Sequence, residues 1–269
     1  MVKLEILNFN LAHICESGQG FRMTQPEENI YEVIAGDKYL KACQNGSECT
    51  FYCSEKEFND FWRHYFDLDT DYQKFKDAVD EDDEYLNAAV KLGGGIRILN
   101  QDLWEMIVSF LISQQNNITR IRKCINNICM KYGEKLTADD GTVYYSFPKP
   151  EAFAFLSEDA LMECNLGYRS KYVERTAKMI VDKEISLEAI KEMSYKDAKD
   201  ELLKLYGVGK KVADCICLFA LHYLEAFPVD THINQALDAH YMEGFPFELY
   251  EGFEGVMQQY IFFYELFGN

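Results

Sequence analysis

Two side chains with complementary chemistry stand out in the sequence, an amine at Lys211 and a carboxylate at Asp230. Lys211 follows the glycine-rich segment 203–209, and Asp230 stands in the Pro-Val-Asp-Thr-His run at 228–232. A neutral amine can attack an electron-poor carbon, and a nearby carboxylate can stabilise the positive charge that develops there. The pair therefore indicates a lysine nucleophile that acts on a sugar.

The residues around this pair predict the elements that position it. Gly207 and Gly209 permit a tight hairpin between two helices and a close backbone approach to a ligand. The second helix would begin at Lys210, so that its first amides and its dipole form a phosphate site. Asp230 follows a proline and has the position of a helix N-cap. Most lysines at such a helix start bind phosphate or face solvent, and this is the expected role of Lys210.

Composition sets limits on the class of protein. The chain has 269 residues, 48% of them hydrophobic, enough for one large or two modest domains. A net charge of −18 argues against nucleic-acid binding, but acidic side chains concentrate at 51–92, whereas basic ones predominate at 93–135 and 166–183. No apolar run is long enough to span a membrane, and the first residues lack the pattern of a secretion signal. A cytosolic or nuclear protein is expected, which in a prokaryote would be cytoplasmic and nucleoid-associated.

Hydrophobic periodicity predicts two regions of different structure. Alternation at 2–9 and turn residues at 36–37 and 45–46 predict an antiparallel meander that ends near residue 54. Apolar residues at helical spacing predict helices over 55–92 and a C-terminal helix over 253–266. The segment 134–150, with two prolines, predicts a loop. Three consecutive glycines at 93–95 form the clearest linker.

The run Leu-Tyr-Gly-Val-Gly-Lys-Lys-Val-Ala-Asp-Cys at 205–215, with Pro-Val-Asp downstream, resembles the helix-hairpin-helix DNA glycosylases, in particular the 8-oxoguanine DNA glycosylase/lyase branch. The resemblance implies an α+β protein. An N-terminal antiparallel β-sheet (TBP-like) domain at 1–95 would pack on an all-helical HhH-GPD glycosylase domain at 96–269, whose last helix closes a base pocket. It also implies damaged double-stranded DNA as the partner of a monomer.

The resemblance further implies a bifunctional reaction. Lys211 would attack the anomeric carbon of a deoxyribose, expel the base and leave a Schiff base that can undergo β-elimination. Asp230 would stabilise the oxocarbenium-like charge and help to transfer protons.

Two alternatives for the function stay open. The substrate could be an alkylated base or an oxidised pyrimidine, or the hairpin could belong to a non-catalytic DNA-binding module.

A pocket for a flipped base is implied at Gly18, Cys215, Phe219, Gln258 and Phe262. The Gly18 carbonyl would accept the N7–H that only the oxidised guanine carries, so that normal guanine leaves unpaired buried groups. Gln258 would bind the Watson–Crick edge of the base, and Gln259 is a competing choice. Cys215 and Phe262 would form the two stacking walls.

Contacts to the rest of the duplex are implied at nine positions: Gln115, Asn116, Arg120, Tyr168, Arg169, Gly207, Gly209, Lys210 and His232. Asn116 would fill the gap left by the base, although Gln115 stands where some family members have asparagine. Arg120 and Arg169 would donate to the orphaned cytosine, and Tyr168 would wedge into the stack.

No cofactor is expected. The family resemblance implies only a structural cation held by the backbone carbonyls of Leu203, Leu205 and Val208 at the hairpin. Nine cysteines are present, but none form a C-x-x-C pair and none follow Cys217, so an iron–sulfur cluster is not expected.

Overall fold

The computed structural model of the chain describes residues 1–268. The strands in this part are β1 (Val2–Glu5), β2 (Met23–Glu27), β3 (Ile30–Ala35), β4 (Lys38–Asn45), β5 (Glu48–Phe51), β6 (Lys135–Thr137) and β7 (Val143–Tyr145). The helices are α1 (Leu11–Glu16), α2 (Glu55–Glu57), α3 (Arg63–Tyr65), α4 (Tyr72–Asp77), α5 (Glu84–Gly93), α6 (Leu103–Ser113), α7 (Ile118–Tyr132), α8 (Pro150–Ala154), α9 (Glu158–Met162), α10 (Ser170–Val181), α11 (Leu187–Lys191), α12 (Tyr195–Leu202), α13 (Lys210–Phe219), α14 (Thr231–His240) and α15 (Glu254–Phe267). A π-helical segment spans Phe58–Trp62, and two 3₁₀ turns span Gly167–Arg169 and Phe247–Tyr250.

The N-terminal region forms an antiparallel sheet with strand order β1-β5-β4-β3-β2. Its two predicted hairpins are confirmed, since Ala35 pairs with Lys38 and Asn45 pairs with Glu48. The meander prediction holds for β2 to β5. The strand expected within 2–9 is present as β1, but its place in the meander is wrong, since it pairs with β5 at the far edge and the chain crosses the sheet through α1.

Two sequence predictions need correction in detail. The helical segment 55–92 is interrupted, because Asp71 and Asp83 accept hydrogen bonds from backbone amides and thereby begin new helices. The expected loop at 134–150 contains the hairpin of β6 and β7. Each of its strands has only three residues, which is too short for alternation to reveal.

Two hydrophobic cores organise the chain. One lies under the sheet and includes Phe51, Trp62 and Phe66, whereas the other surrounds the buried helices α6 and α13 and the C-terminal helix α15. Buried side chains of α4 and α5 belong to the second core, although these helices precede the glycine linker. The predicted α+β class, a sheet domain followed by a helical domain, is confirmed.

Arg97 joins the two cores. It is 4% exposed, and its guanidinium donates to the carbonyl oxygens of Leu7 (3.1 Å), Asp67 (2.7 Å) and Thr70 (2.9 Å). These bonds fix the residues that follow the glycine linker against the N-terminal sheet domain.

Within residues 1–268, no helix combines the length and the apolar character that crossing a membrane would need.

Candidate active site

A helix, a hairpin and a second helix present Lys211. The first helix, α12, ends at Leu202, the amide of Val208 donates to the Leu205 carbonyl at 3.1 Å, and α13 begins at Lys210. Gly207 has a φ of +91°, and a Cβ there would lie 2.6 Å from Cγ of Tyr172, so no other residue fits. The predicted helix-hairpin-helix is therefore present.

Asp230 caps the next helix, as its position in the sequence predicts. One carboxylate oxygen, Oδ1, accepts the Ile233 amide at 2.9 Å, which fixes the side chain at the start of α14. Lys211 and Asp230 both line a cleft of about 760 Å³. No ion pair of 4.0 Å or less joins the two side chains in the described structure, and both belong to the wall of the same cleft.

A small chamber opens beside these two side chains. All five residues expected to hold a base line it together with Lys211 and Asp230, and the remaining lining residues are Ser17, Phe110, Pro228 and Gln259. Phe110 is the notable addition, because its ring stacks on Phe219 (centroids 5.6 Å apart) and lies 5.5 Å from the Lys211 Nζ. No pattern in the sequence distinguished Phe110, which occupies one of many apolar positions on α6.

The chamber is polar on one side. The Gln259 Nε2 donates to the Gln258 Oε1 at 3.1 Å, and both residues are buried. The Gln259 Oε1 is buried without a partner in the described residues, an arrangement that costs about 1–3 kcal/mol. Burial raises the pKa of the Cys215 thiol, whereas the neighbouring Lys211 charge acts in the opposite direction. This unpaired amide oxygen could accept a hydrogen bond from a polar ligand in the chamber.

Phe262 limits the volume of the chamber. Gly18 has a φ of +76°, and a Cβ at this position would lie 3.1 Å from the Cε1 of Phe262. The ring of Phe262 also meets His232 edge-on at 6.1 Å. The free space in the chamber is about 40 Å³, on the scale of one or two water molecules. A planar base can therefore enter only if a wall residue such as Phe262 moves.

The turn between α6 and α7 differs from the expectation for Asn116. Its Nδ2 donates to the Ile112 carbonyl at 3.1 Å, and its Oδ1 accepts the Asn117 amide. The side chain is thus folded back onto the end of α6, where free carbonyls need donors. Gln115 is exposed instead, with a left-handed φ of +48°. The structure favours Gln115 over Asn116 as the side chain that projects from this turn.

Arg169 also differs from the expectation that it is free to bind a base. It is 3% exposed, and its guanidinium donates to the carbonyls of Gln114, Gln115 (2.9 Å) and Leu166 (3.3 Å). Arg120, in contrast, is exposed in the first turn of α7. Tyr168 is 43% exposed beside the same turn, and its hydroxyl donates to the Gln114 carbonyl at 3.3 Å.

Two remaining sets of expected residues lie around the hairpin. Lys210 and His232 are exposed at the starts of α13 and α14. The carbonyl oxygens of Leu203 and Val208 accept no backbone hydrogen bond from the described residues, whereas that of Leu205 accepts the Val208 amide. Two of the three carbonyls are therefore available to a cation. No cluster of three His, Cys, Asp or Glu residues suited to a metal occurs in residues 1–268.

The fold and the site together define the class of helix-hairpin-helix proteins. An amine and a carboxylate lie beside a small chamber whose walls are aromatic and amide side chains. Family models support this class. The 8-oxoguanine DNA glycosylase N-terminal domain matches residues 1–107, and the HhH-GPD superfamily of base excision DNA repair proteins matches residues 108–244. The chain belongs to the HhH-GPD superfamily, within its 8-oxoguanine DNA glycosylase branch.

Individual relatives support the same family assignment. The Clostridium acetobutylicum 8-oxoguanine glycosylase/lyase superposes with a TM-score of 0.90 at 38% identity, over 97% of this chain and 94% of that one. The same protein has been solved with double-stranded DNA containing cytosine opposite 8-oxoguanine. The N-glycosylase/DNA lyase of Saccharomyces cerevisiae is 40% identical over 52% of this chain. That match spans only 40% of the yeast protein's length.

Proposed function

We propose that this protein is a bifunctional DNA glycosylase and abasic-site lyase that removes 8-oxoguanine from duplex DNA, preferably opposite cytosine. One observation supports the proposal most: Lys211, Asp230, Gly18 and Gln258 converge on one chamber. The Clostridium enzyme, which aligns over almost the whole chain, carries the same activity in its name. Damaged double-stranded DNA is accordingly the partner, bound by one copy of the chain.

The reaction follows from the positions of the amine and the acid. The lone pair of the Lys211 Nζ forms a bond to C1′, the bond from C1′ to the base breaks, and its electron pair leaves with the base, which takes up a proton. Asp230 stabilises the positive charge on the sugar with the carboxylate oxygen that does not cap α14. The attacking nitrogen then gives up a proton, O4′ takes one up, and the C1′–O4′ bond breaks to leave a protonated Schiff base. A proton leaves C2′ for Asp230 or water, its C–H electrons form the C2′–C3′ double bond, and the C3′–O bond breaks so that the phosphate leaves with its electron pair.

Base recognition uses the chamber walls. With Phe262 displaced, the flipped base would stack between Phe262 and Cys215, and the Gly18 carbonyl would accept N7–H. Gln258 or Gln259 would bind the Watson–Crick edge, and the unpaired Gln259 Oε1 supports a polar contact on this side. Discrimination by a hydrogen bond of this kind is strong, because the wrong base leaves buried polar groups without partners.

The duplex would be held outside the chamber. Free amides at the start of α13, with Lys210, and the exposed His232 would bind phosphates on either side of the flipped nucleotide. A cation on the Leu203, Leu205 and Val208 carbonyls would strengthen the contact. Gln115 would enter the gap left by the base, Tyr168 would wedge beside it, and Arg120 would donate to the orphaned cytosine.

The decisive test is a panel of duplexes that each carry one lesion: 8-oxoguanine opposite each of the four bases, an alkylated purine, an oxidised pyrimidine, an abasic site and undamaged DNA. Base release and strand cleavage are measured separately in single turnovers. The proposal requires fastest release from 8-oxoguanine opposite cytosine, with strand cleavage following. Fastest release of the alkylated purine or the oxidised pyrimidine would support a sister activity, and no release from any duplex would indicate a binding module.

A further inference from the structure

Three tyrosine rings form a continuous row between the gap-side turn and the hairpin. The ring centroids of Tyr168 and Tyr172 are 5.7 Å apart, and those of Tyr172 and Tyr206 are 5.6 Å apart. Tyr172 lies beneath the backbone of Gly207, and the two end rings are exposed, Tyr206 by 37%. We call these three residues the tyrosine row. It begins beside the proposed wedge and ends at the phosphate-binding hairpin.

Cations accompany the row. The Arg175 Cζ lies 4.3 Å from the Tyr206 ring centroid, and the Lys171 Nζ lies 5.6 Å from that of Tyr172, both within reach of a cation–π interaction. In the described structure neither side chain forms an ion pair of 4.0 Å or less, whereas Lys178, one turn after Arg175 and also exposed, pairs with Glu174. In a chain with 45 acidic and 27 basic side chains, unpaired cations favour an external anion as their partner.

The end of the row at Tyr206 is held firmly in place. The hydroxyl of Thr176 on α10 donates to the Tyr206 carbonyl at 3.2 Å, so the hairpin is attached to the helix that carries Arg175. The guanidinium therefore lies over an exposed ring whose backbone is attached to the helix that carries the guanidinium. A planar guanidinium has donors that match two phosphate oxygens, and a ring next to it can pack against a sugar.

We propose that Tyr206 and Arg175 form a second DNA backbone contact, in which Arg175 binds a phosphate and Tyr206 packs on the adjoining deoxyribose. The contact extends the DNA-binding surface from the hairpin along the tyrosine row towards Tyr168. This inference rests on the proposed function, because it takes duplex DNA as the partner. Since the contact touches no base edge, it strengthens binding equally for damaged and undamaged DNA.

The test measures binding of an undamaged duplex over a range of salt concentrations by fluorescence anisotropy. Arg175→Ala should raise Kd by ~5- to 10-fold and reduce the slope of log Kd against log salt by ~0.9, the value for one phosphate contact. Tyr206→Ala should raise Kd with little change in slope. The matched control Lys178→Ala, which removes a paired cation from the same helix, should change neither quantity.

Two further measurements keep the outcome clear. Excision at saturating protein should be unchanged in the control Lys178→Ala, and the thermal midpoint of Arg175→Ala should match that of the unsubstituted chain. An unchanged Kd and slope in Arg175→Ala, or equal losses in Arg175→Ala and Lys178→Ala, would overturn the proposed contact even where 8-oxoguanine is excised. A chain that excises no 8-oxoguanine but shows the expected binding changes would refute the proposed activity and leave the contact standing.

Discussion

The side-chain amide of Gln114 donates a hydrogen bond to the carbonyl oxygen of Gly207 at 3.1 Å. This bond joins the polar turn after α6 directly to the hairpin before α13. The backbone carbonyl of the same glutamine accepts hydrogen bonds from Arg169 and Tyr168. Three segments that would touch DNA therefore meet at one residue, to which the sequence analysis assigned no role.

Replacing Gln114 with Met should slow base excision by ~10-fold, because the variant keeps the length of the side chain but releases the turn from the hairpin, and small misplacements of reacting groups are costly. Cleavage at a preformed abasic site, where no base has to be extruded, should change much less. Single-turnover rates on the two duplexes give the comparison. Equal slowing on both would assign Gln114 a purely structural role.

Arg120 and Arg169 should differ in their effect on opposite-base preference. Arg120→Ala removes an exposed side chain, so the ratio of excision opposite cytosine to excision opposite adenine should fall towards one at unchanged stability. Arg169→Ala removes the guanidinium bonds to the carbonyls of Gln114, Gln115 and Leu166, and it leaves the Gln115 carbonyl without a donor. It should lower the free energy of unfolding by ~1–3 kcal/mol and slow excision opposite every base. A selective loss of cytosine preference in Arg169→Ala alone would contradict this division of roles.

Asp230→Asn separates the cap from the charge. Asparagine caps helices about as well as aspartate, so the free energy of unfolding should change by less than ~0.5 kcal/mol. Excision should slow by ~100-fold or more, because the negative charge beside the sugar is lost. Thermal unfolding and single-turnover excision are measured on the same preparation. Full activity in Asp230→Asn would show that the residue is only a cap.

Gly18→Ala tests the contact between Gly18 and Phe262. Alanine at a φ of +76° is strained, and its Cβ would press on the Phe262 ring. The control is Gly46→Ala, which has a φ of +62° but open space around the Cβ. Both variants should lose ~1 kcal/mol of stability or more from backbone strain. Excision should suffer only in Gly18→Ala, and equal activity of the two variants would argue against a base pocket at Gly18.

The sequence predicted those parts of the fold and of the site that depend on local structure. The hairpin, the Asp230 cap and the two sheet hairpins follow from turn and cap residues within a few positions of one another. These signals need no knowledge of tertiary contacts, which explains their success.

The parts that the sequence could not provide depend on contacts between distant segments. Arg169 bonds to the turn after α6, although arginine side chains often project into solvent. Asn116 is a local exception, because it bonds to Ile112 only four residues away and its residue type is equally common in exposed turns. Phe110 enters the chamber only because α6 packs against α13. The pairing of β1 with β5 likewise depends on a long crossover rather than on a local turn.

The central claim is that the Lys211 amine bonds to the sugar. Sodium borohydride reduces a Schiff base to a stable amine, so the intact chain incubated with an 8-oxoguanine:cytosine duplex should form a covalent protein–DNA adduct. Lys211→Gln should form none, while Lys210→Gln, which alters the exposed neighbour, should still form it. An adduct that persists in Lys211→Gln, or is lost only in Lys210→Gln, would contradict the account.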